Sequence, residues 1–268
     1  VAGIEVRGVA KVFGKRPAQA LALARDGVDK LEILARTGAS LGLFDVNLDI
    51  PSGGVFVVMG LSGSGKSTLV RHLNRLIDPS AGAILYDGRD ILKLGAAELR
   101  DFRRRRVSMV FQGFGLLPHR TVLQNVAFGL KVRGEARAEV QDAAHRWIEA
   151  VGLAGYHDKY PNELSGGMRQ RVGLARALAT DTDVILMDEA FSALDPLIRW
   201  EMQDLLLKLQ SELSKTIVFV SHDLDEAVRL GGQIAMMKDG RIIQVGAPAD
   251  ILKAPADDYV ARFVQRRT

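Results

Sequence analysis

The chain has 268 residues, 47% of them hydrophobic, and 36 Lys and Arg against 32 Asp and Glu for a net charge of +4; it can bury a sizeable core, which excludes a disordered, strongly charged segment. It contains no cysteine, so disulfides, thiol catalysis and thiolate metal sites are excluded. No apolar run approaches the roughly 18 residues that cross a bilayer, and the N-terminus lacks a basic segment followed by an apolar signal core, so any membrane role is expected to run through a partner.

In chain order, "IEVRGVAKVF" alternates as a strand does, and "RPAQALALARDGVDKLEILARTGAS" from Arg16 to Ser40 predicts two short helices around a central Asp-Gly turn. "VFVVM" (Val55 to Met59) is a short apolar run rich in β-branched residues, the pattern of a buried strand. Directly after it comes "GLSGSGKST", and from Lys66 to Ile77 the apolar residues Leu69, Val70, Leu73, Leu76 and Ile77 recur at helical spacing until "DPSAG". Further apolar runs, "VSMVF", "VILMD", "TIVFV" and "QIAMM", alternate with helical patterns, which predicts a mostly parallel sheet covered by helices. Between Gly113 and about Gly166 the pattern is helical with no buried strand, as in a helical subdomain inserted into an α/β core.

Three stretches carry chemistry. Gly60, Gly65, Lys66 and Ser67 satisfy G-x-x-x-x-G-K-[ST], with Ser62, Gly63, Ser64 and Thr68 in the same loop. Glycines let the backbone wrap a phosphate chain, the following helix adds positive potential, Lys66 adds a charge near the β and γ phosphates, and Ser67 offers a hydroxyl to Mg²⁺. The plain alternative is a flexible Gly-Ser loop, but the flanking strand and helix are the context the motif requires. In "VILMDEAFSALDP" an apolar strand ends in Asp188 and Glu189. Asp188 is placed to hold Mg²⁺ through water and Glu189 to polarise the water that attacks a γ-phosphate; an acidic turn capping the next helix is the alternative. In "NELSGGMRQRVGLARAL", Ser165, Gly166 and Gly167 open a helix, either as an ordinary N-cap or as a second phosphate-binding device.

Leu164 to Met168 resembles the signature sequence of ATP-binding cassette ATPases, and it follows a Walker A motif and precedes a Walker B motif in that family's order. The resemblance covers nearly the whole chain. It implies an α/β fold with a P-loop NTPase (RecA-like) core and an antiparallel β subdomain (residues 1–112 and 179–268), and an inserted α-helical subdomain (113–178). It implies ATP and Mg²⁺ as ligands. By the same resemblance Gln112 contacts Mg²⁺ and the permease, Ser192 to Asp195 form the D-loop, His222 lies beside the γ-phosphate, and Phe13 stacks on adenine. The signature of one subunit closes over the Walker A site of another, so a homodimer forms on ATP binding. Met168 stands where many family members have glutamine.

Within the family, "GASLGLFDVNLDI", "MGLSGSGKSTLVRHLNRLIDPSAG" and "FQGFGLLPHRTVLQNVAFGL" resemble importer ATPases for glycine betaine, proline, choline and similar quaternary amines, which carry an insertion similar to Arg16–Ser40. That group implies transmembrane permease subunits, an extracytoplasmic substrate-binding protein and a cytoplasmic, peripheral place on the inner face of the membrane. "GFGLLPH" is expected to expose Phe114, Leu116 and Leu117 as a docking surface for a permease helix. The basic run Arg103 to Arg106 lacks interleaved aromatics and precedes a strand, so no nucleic acid is expected. The competing classes are a soluble, non-transport cassette ATPase acting on DNA or the ribosome, and a cassette ATPase for another small solute.

Overall fold

The computed structural model describes residues 3–265, which fall into two compact units, residues 3–95 with 220–265 and residues 96–219. The first unit opens with β1 (Ile4–Phe13), α1 (Pro17–Arg25), α2 (Lys30–Thr37), β2 (Ser40–Ile50), β3 (Val55–Met59), α3 (Lys66–Leu73), β4 (Ala81–Tyr86) and β5 (Arg89–Asp90). The second contains α4 (Ala96–Arg105), β6 (Val107–Val110), α5 (Val122–Val126), α6 (Phe128–Arg133), α7 (Arg137–Ala150), α8 (Gly166–Ala179), β7 (Val184–Asp188), α9 (Pro196–Leu213) and most of β8 (Thr216–Ser221). The chain then returns to the first unit through α10 (Leu224–Leu230), β9 (Gln233–Lys238), β10 (Arg241–Gly246), α11 (Pro248–Lys253) and α12 (Asp258–Gln265).

In the first unit β1 is the hinge of an antiparallel sheet ordered β2-β1-β4-β5. Its alternating sequence puts Ile4, Val6, Val9 and Val12 inside, as a strand with one buried face requires. The segment after β1 forms the two expected helices. Asp29 caps α2 by accepting the Leu31 and Glu32 N–H groups at 2.8 and 3.0 Å, and Gly38 ends it at φ +67°. Ala20, Leu21, Ala24 and Ile33 cluster with Val12, Leu41 and Phe44 of the strands, so the insertion has its own apolar contact with the sheet. Elsewhere in this unit β3 pairs in parallel with β9, from Phe56↔Gln233 to Met59↔Met236, and β10 is antiparallel to β9. All of β3 is buried, so its run of apolar residues contributes about 1.5–3 kcal/mol per large side chain.

The helix expected from Lys66 to Ile77 stops at Leu73. The Asn74 side chain accepts the Leu76 N–H at 3.1 Å, and Arg75 adopts φ +52°. The Arg75 guanidinium donates to the carbonyls of Ile91 and Leu94 at 3.2 and 2.8 Å, a tertiary pull that outweighs the local period and leaves Leu76 48% exposed.

In the second unit β6 and β7 pair in parallel, Val107↔Val184 through Val110↔Met187. Val122, Val126, Val140, Ala144, Ile148, Val172 and Ala175 form one core cluster among α5, α7 and α8, the helical pattern read between Gly113 and Gly166. None of the helices among the described residues is long and apolar enough to cross a membrane.

Candidate functional site

In the first unit the fully buried β3 delivers the chain into the loop Gly60–Gly65. A Cβ on Gly60 would lie 2.3 Å from the Met237 carbonyl and 2.7 Å from Ser64 Oγ; one on Gly65 would lie 2.9 Å from the Gly42 carbonyl, and Gly65 has φ +103°. Real Cβ atoms do not reach such distances, so the loop's path depends on glycine at both places. The loop is tied by backbone bonds, Ser64 N–H to Leu61 O at 3.2 Å and Gly240 N–H to Ser64 O at 2.9 Å. Lys66 opens α3, is 4% exposed, and its ammonium donates to the Leu61 carbonyl at 3.0 Å, so its charge is directed into the ring of the loop. Ser64 Oγ is buried and has no hydrogen-bond partner among the described residues. Ser67 and Thr68, half-buried, follow in the first turn of α3.

Phe13 ends β1 with its ring over Gly42, whose Cβ would meet Cε2 at 2.6 Å; it remains 41% exposed, with Lys11 Nζ 5.3 Å from its centroid. It is not a core residue. His222 is exposed directly after β8. Its neighbour Ser221 is buried, donates to Glu226 Oε2 at 2.5 Å and accepts the Asp223 N–H at 3.0 Å. Asp223 in turn caps α10 through the Asp225 and Glu226 N–H groups. The turn that presents His222 is therefore fastened on both sides.

In the second unit β7 ends with Asp188, 2% exposed. The next residue, Glu189, sits at φ +47°, a conformation that non-glycine residues rarely adopt and that recurs at functional sites. There its carboxylate accepts the Gln112 side-chain amide at 3.0 Å, across 77 residues of sequence. The structure thus joins two residues that sequence reasoning had placed in separate motifs. Asp195 caps α9 by accepting the Ile198 N–H at 3.1 Å, and Arg199 donates to the carbonyls of Ser192 and Leu194, which shapes the turn after Glu189.

Ser165 is the N-cap of α8, its Oγ accepting the Met168 N–H at 3.3 Å, so the capping reading and an exposed hydroxyl coexist. Gly166 has open space around its Cα, whereas a Cβ on Gly167 would lie 2.6 Å from Ile198 Cγ2. The second glycine is therefore required by packing of α8 on α9.

The loop after Gln112 differs from expectation. Phe114, Leu116 and Leu117 are half-buried, not exposed: Leu116 packs on the helical core cluster, and Arg169 covers the Phe114 ring at 5.1 Å. Arg176 donates to the carbonyls of Gly115 and Phe114 at 2.6 and 3.2 Å, and burial pushes its guanidinium below the ordinary arginine range. Asn125, fully buried, accepts the Leu117 N–H at 2.8 Å and donates to the carbonyls of Leu117, Arg120 and Thr121. Sequence reasoning missed Asn125 and Arg176; the available signal was a polar residue on the apolar face of a predicted helix in "VLQNVAF" and "GLARAL".

The family profile described as ABC transporter matches residues 43–192. The chain is 56% identical, over 97% of its length, to 65% of the glycine betaine/proline betaine transport system ATP-binding protein ProV of Salmonella typhimurium. It is 52% identical, over 98% of its length, to 63% of the glycine betaine transport ATP-binding protein OpuAA of Bacillus subtilis. To the trimethylamine N-oxide transport system ATP-binding protein TmoW of Ruegeria pomeroyi it is 52% identical over 98% of its length and 77% of the relative's. The chain therefore spans less than two thirds of the length of the first two relatives. Its backbone matches the dimeric ATP-binding cassette MJ0796 bound to ADP and phosphate with a TM-score of 0.77 and 31% identity, over 91% of this chain and 98% of that one. A family profile that matches more than half of the chain, together with relatives above 50% identity, shows that the chain belongs to the ABC transporter family.

Proposed function

We propose that the chain is the ATP-hydrolysing subunit of an importer that takes up a quaternary amine of the glycine betaine class. The observation that carries the ATPase reading is the loop Gly60–Gly65, too tight for a Cβ at either end, with the buried Lys66 ammonium turned into it. Such a ring of backbone N–H groups with one fixed cation suits a polyphosphate. The buried Ser64 hydroxyl is a further polar group that a phosphate oxygen would satisfy.

Lys66 holds the β and γ phosphates, Phe13 stacks on adenine, and His222 contacts the γ-phosphate. Glu189 draws a proton from the attacking water, and the amide that Gln112 donates to its carboxylate orients it. Ser67, Gln112 and Asp188 offer hydroxyl, amide and carboxylate oxygens, a donor set that suits Mg²⁺. Bound Mg²⁺ would neutralise phosphate charge. Ser165, Gly166 and Gly167, with Asp195, act on the nucleotide of a second copy, so turnover belongs to a homodimer. Peripheral attachment to the membrane runs through permease subunits, fed by an extracytoplasmic binding protein. The similarity to ATP-binding proteins of betaine and trimethylamine N-oxide transport systems supports the solute class.

The test mixes Lys66→Ala and Ser165→Arg chains, each also carrying Glu189→Gln, and measures occluded ATP in tag-verified heterodimers. One intact composite site per heterodimer is expected, and occlusion no higher than with either chain alone would reject the shared site. Uptake of labelled betaine, choline and trimethylamine N-oxide with the cognate permease then tests the solute class.

A further inference from the structure

The parallel ladder between β3 and β9 ends at Met59↔Met236. Beyond it β3 gives way to the loop that starts at Gly60, while β9 runs on through Met237 and Lys238, paired with β10. At that point Tyr259, from the first turn of α12, places its hydroxyl between the loop that follows β3 and Met237 of β9. It accepts the Leu61 N–H at 3.1 Å and donates to the Met237 carbonyl at 2.8 Å. This is the same carbonyl that excludes a Cβ from Gly60. One phenol therefore continues the sheet where the ladder stops, at the first residue after Gly60.

The ring itself is held. Lys238 Nζ lies 5.2 Å from its centroid, and Phe263, one turn further along α12, packs edge-on at 5.2 Å and 74°. Two cavities of about 320 and 370 Å³ share Leu61, Tyr259 and Arg262 in their walls. At the loop itself the contact with α12 is lined by Leu61, Tyr259 and Arg262, while Val260 and Phe263 bury the other side of the helix. Burial pushes the phenol above its usual range, so it keeps the proton that it donates to Met237 at physiological pH.

We propose that Tyr259 is a positioning residue for the phosphate loop, fixing the Leu61 N–H, and with it the path of Gly60–Thr68, before nucleotide binds. The inference rests on the reading of that loop as the nucleotide site. Preorganised hydrogen bonding raises affinity by removing the ordering cost that binding otherwise incurs.

Tyr259→Phe keeps the ring, the Lys238 contact and the Phe263 packing and removes both hydrogen bonds. The KM for ATP is expected to rise about 3- to 10-fold, the range for one net hydrogen bond, with kcat within about twofold. Hydrogen exchange at the Leu61 amide is expected to accelerate in the nucleotide-free protein and to slow again when ATP saturates it. Phe263→Leu, which loosens α12 but keeps the hydroxyl, is the control, with KM near that of the parent. An unchanged KM and an unchanged Leu61 exchange rate in Tyr259→Phe would overturn the proposal. So would equal effects of Tyr259→Phe and Phe263→Leu on KM, which would assign the effect to helix packing. If the parent chain itself bound no nucleotide, the reading of the loop would fail, whereas the Leu61 exchange rate would still report on the tyrosine.

Discussion

The loop Gly60–Gly65 of the first unit and the loop Gln112–His119 of the second both carry residues of the proposed site, yet they are held by opposite means. The first is shaped by its own backbone, by glycines that admit no Cβ and by bonds such as Gly240 N–H to Ser64 O. The second is fastened by side chains that arrive from α5 and α8, Asn125 and Arg176, which grip its carbonyls and one N–H. A loop pressed against neighbouring backbone tolerates no Cβ at Gly60 or Gly65, and its long-range support is mostly backbone, with the Tyr259 hydroxyl reaching the Leu61 N–H. One tied by side chains can be loosened bond by bond.

The largest effect expected from this contrast is at Gly60. Gly60→Ala puts a methyl group into the Met237 carbonyl, and nucleotide binding should be lost in calorimetric titration, with about 1–3 kcal/mol of stability lost to overpacking. Retained ATP binding would show that the loop is less rigid than its geometry implies. Next comes Glu189→Gln, which keeps an acceptor for Gln112 but removes the base. Steady-state turnover should fall at least about 100-fold while ATP affinity is kept, and normal rates would reject Glu189 as the base.

Asn125→Ala tests the side-chain mode of support. It removes the amide that accepts the Leu117 N–H and donates to the part-buried carbonyls of Leu117, Arg120 and Thr121, and a loss of about 1–3 kcal/mol is expected in denaturant unfolding. A change below about 0.5 kcal/mol would mean that the loop is held by its backbone turns after all. The smallest effect concerns α3, the helix that follows the loop Gly60–Gly65. His72 of α3 is fully buried, and burial pushes its ring below the usual histidine range, although its Nδ1 meets the Thr68 carbonyl at 2.6 Å. The unfolded chain takes up a proton near pH 6.5 where the folded one does not. Stability should therefore be complete above that pH and fall as pH drops through it, by at most about 1.4 kcal/mol per pH unit. Urea unfolding of the parent and of His72→Gln at pH 7.5 and 5.5 measures the difference, which the substitution should diminish.

Much of the first loop was readable because its signals are local. "VFVVM" matches β3 residue for residue, "VILMD" matches β7, and the Gly-Lys-Ser motif needs only the strand before it and the helix after it. Ser165 and Asp195 cap their helices three residues away, and the Asp-Gly turn and Gly38 mark the helices of the insertion. The second loop was misjudged because "GFGLLPH" carries no trace of Asn125 or Arg176, and apolar residues between glycine and proline look exposed until a core arrives beneath them.

By itself, then, the sequence determined the short-range features: apolar runs long enough for buried strands, glycines where the backbone must close on itself, and caps that satisfy the first N–H groups of a helix. These are decided within a few residues, where the menu of backbone conformations is small. Only the tertiary structure decided that Gln112 meets Glu189 across 77 residues, that Arg75 ends α3 early by reaching the carbonyls of Ile91 and Leu94, and that Tyr259 meets a loop 198 positions before it. For Arg75 and Tyr259 the partners are backbone groups that their own elements no longer satisfy, and in all three cases which distant residue answered depended on the packing of the whole unit.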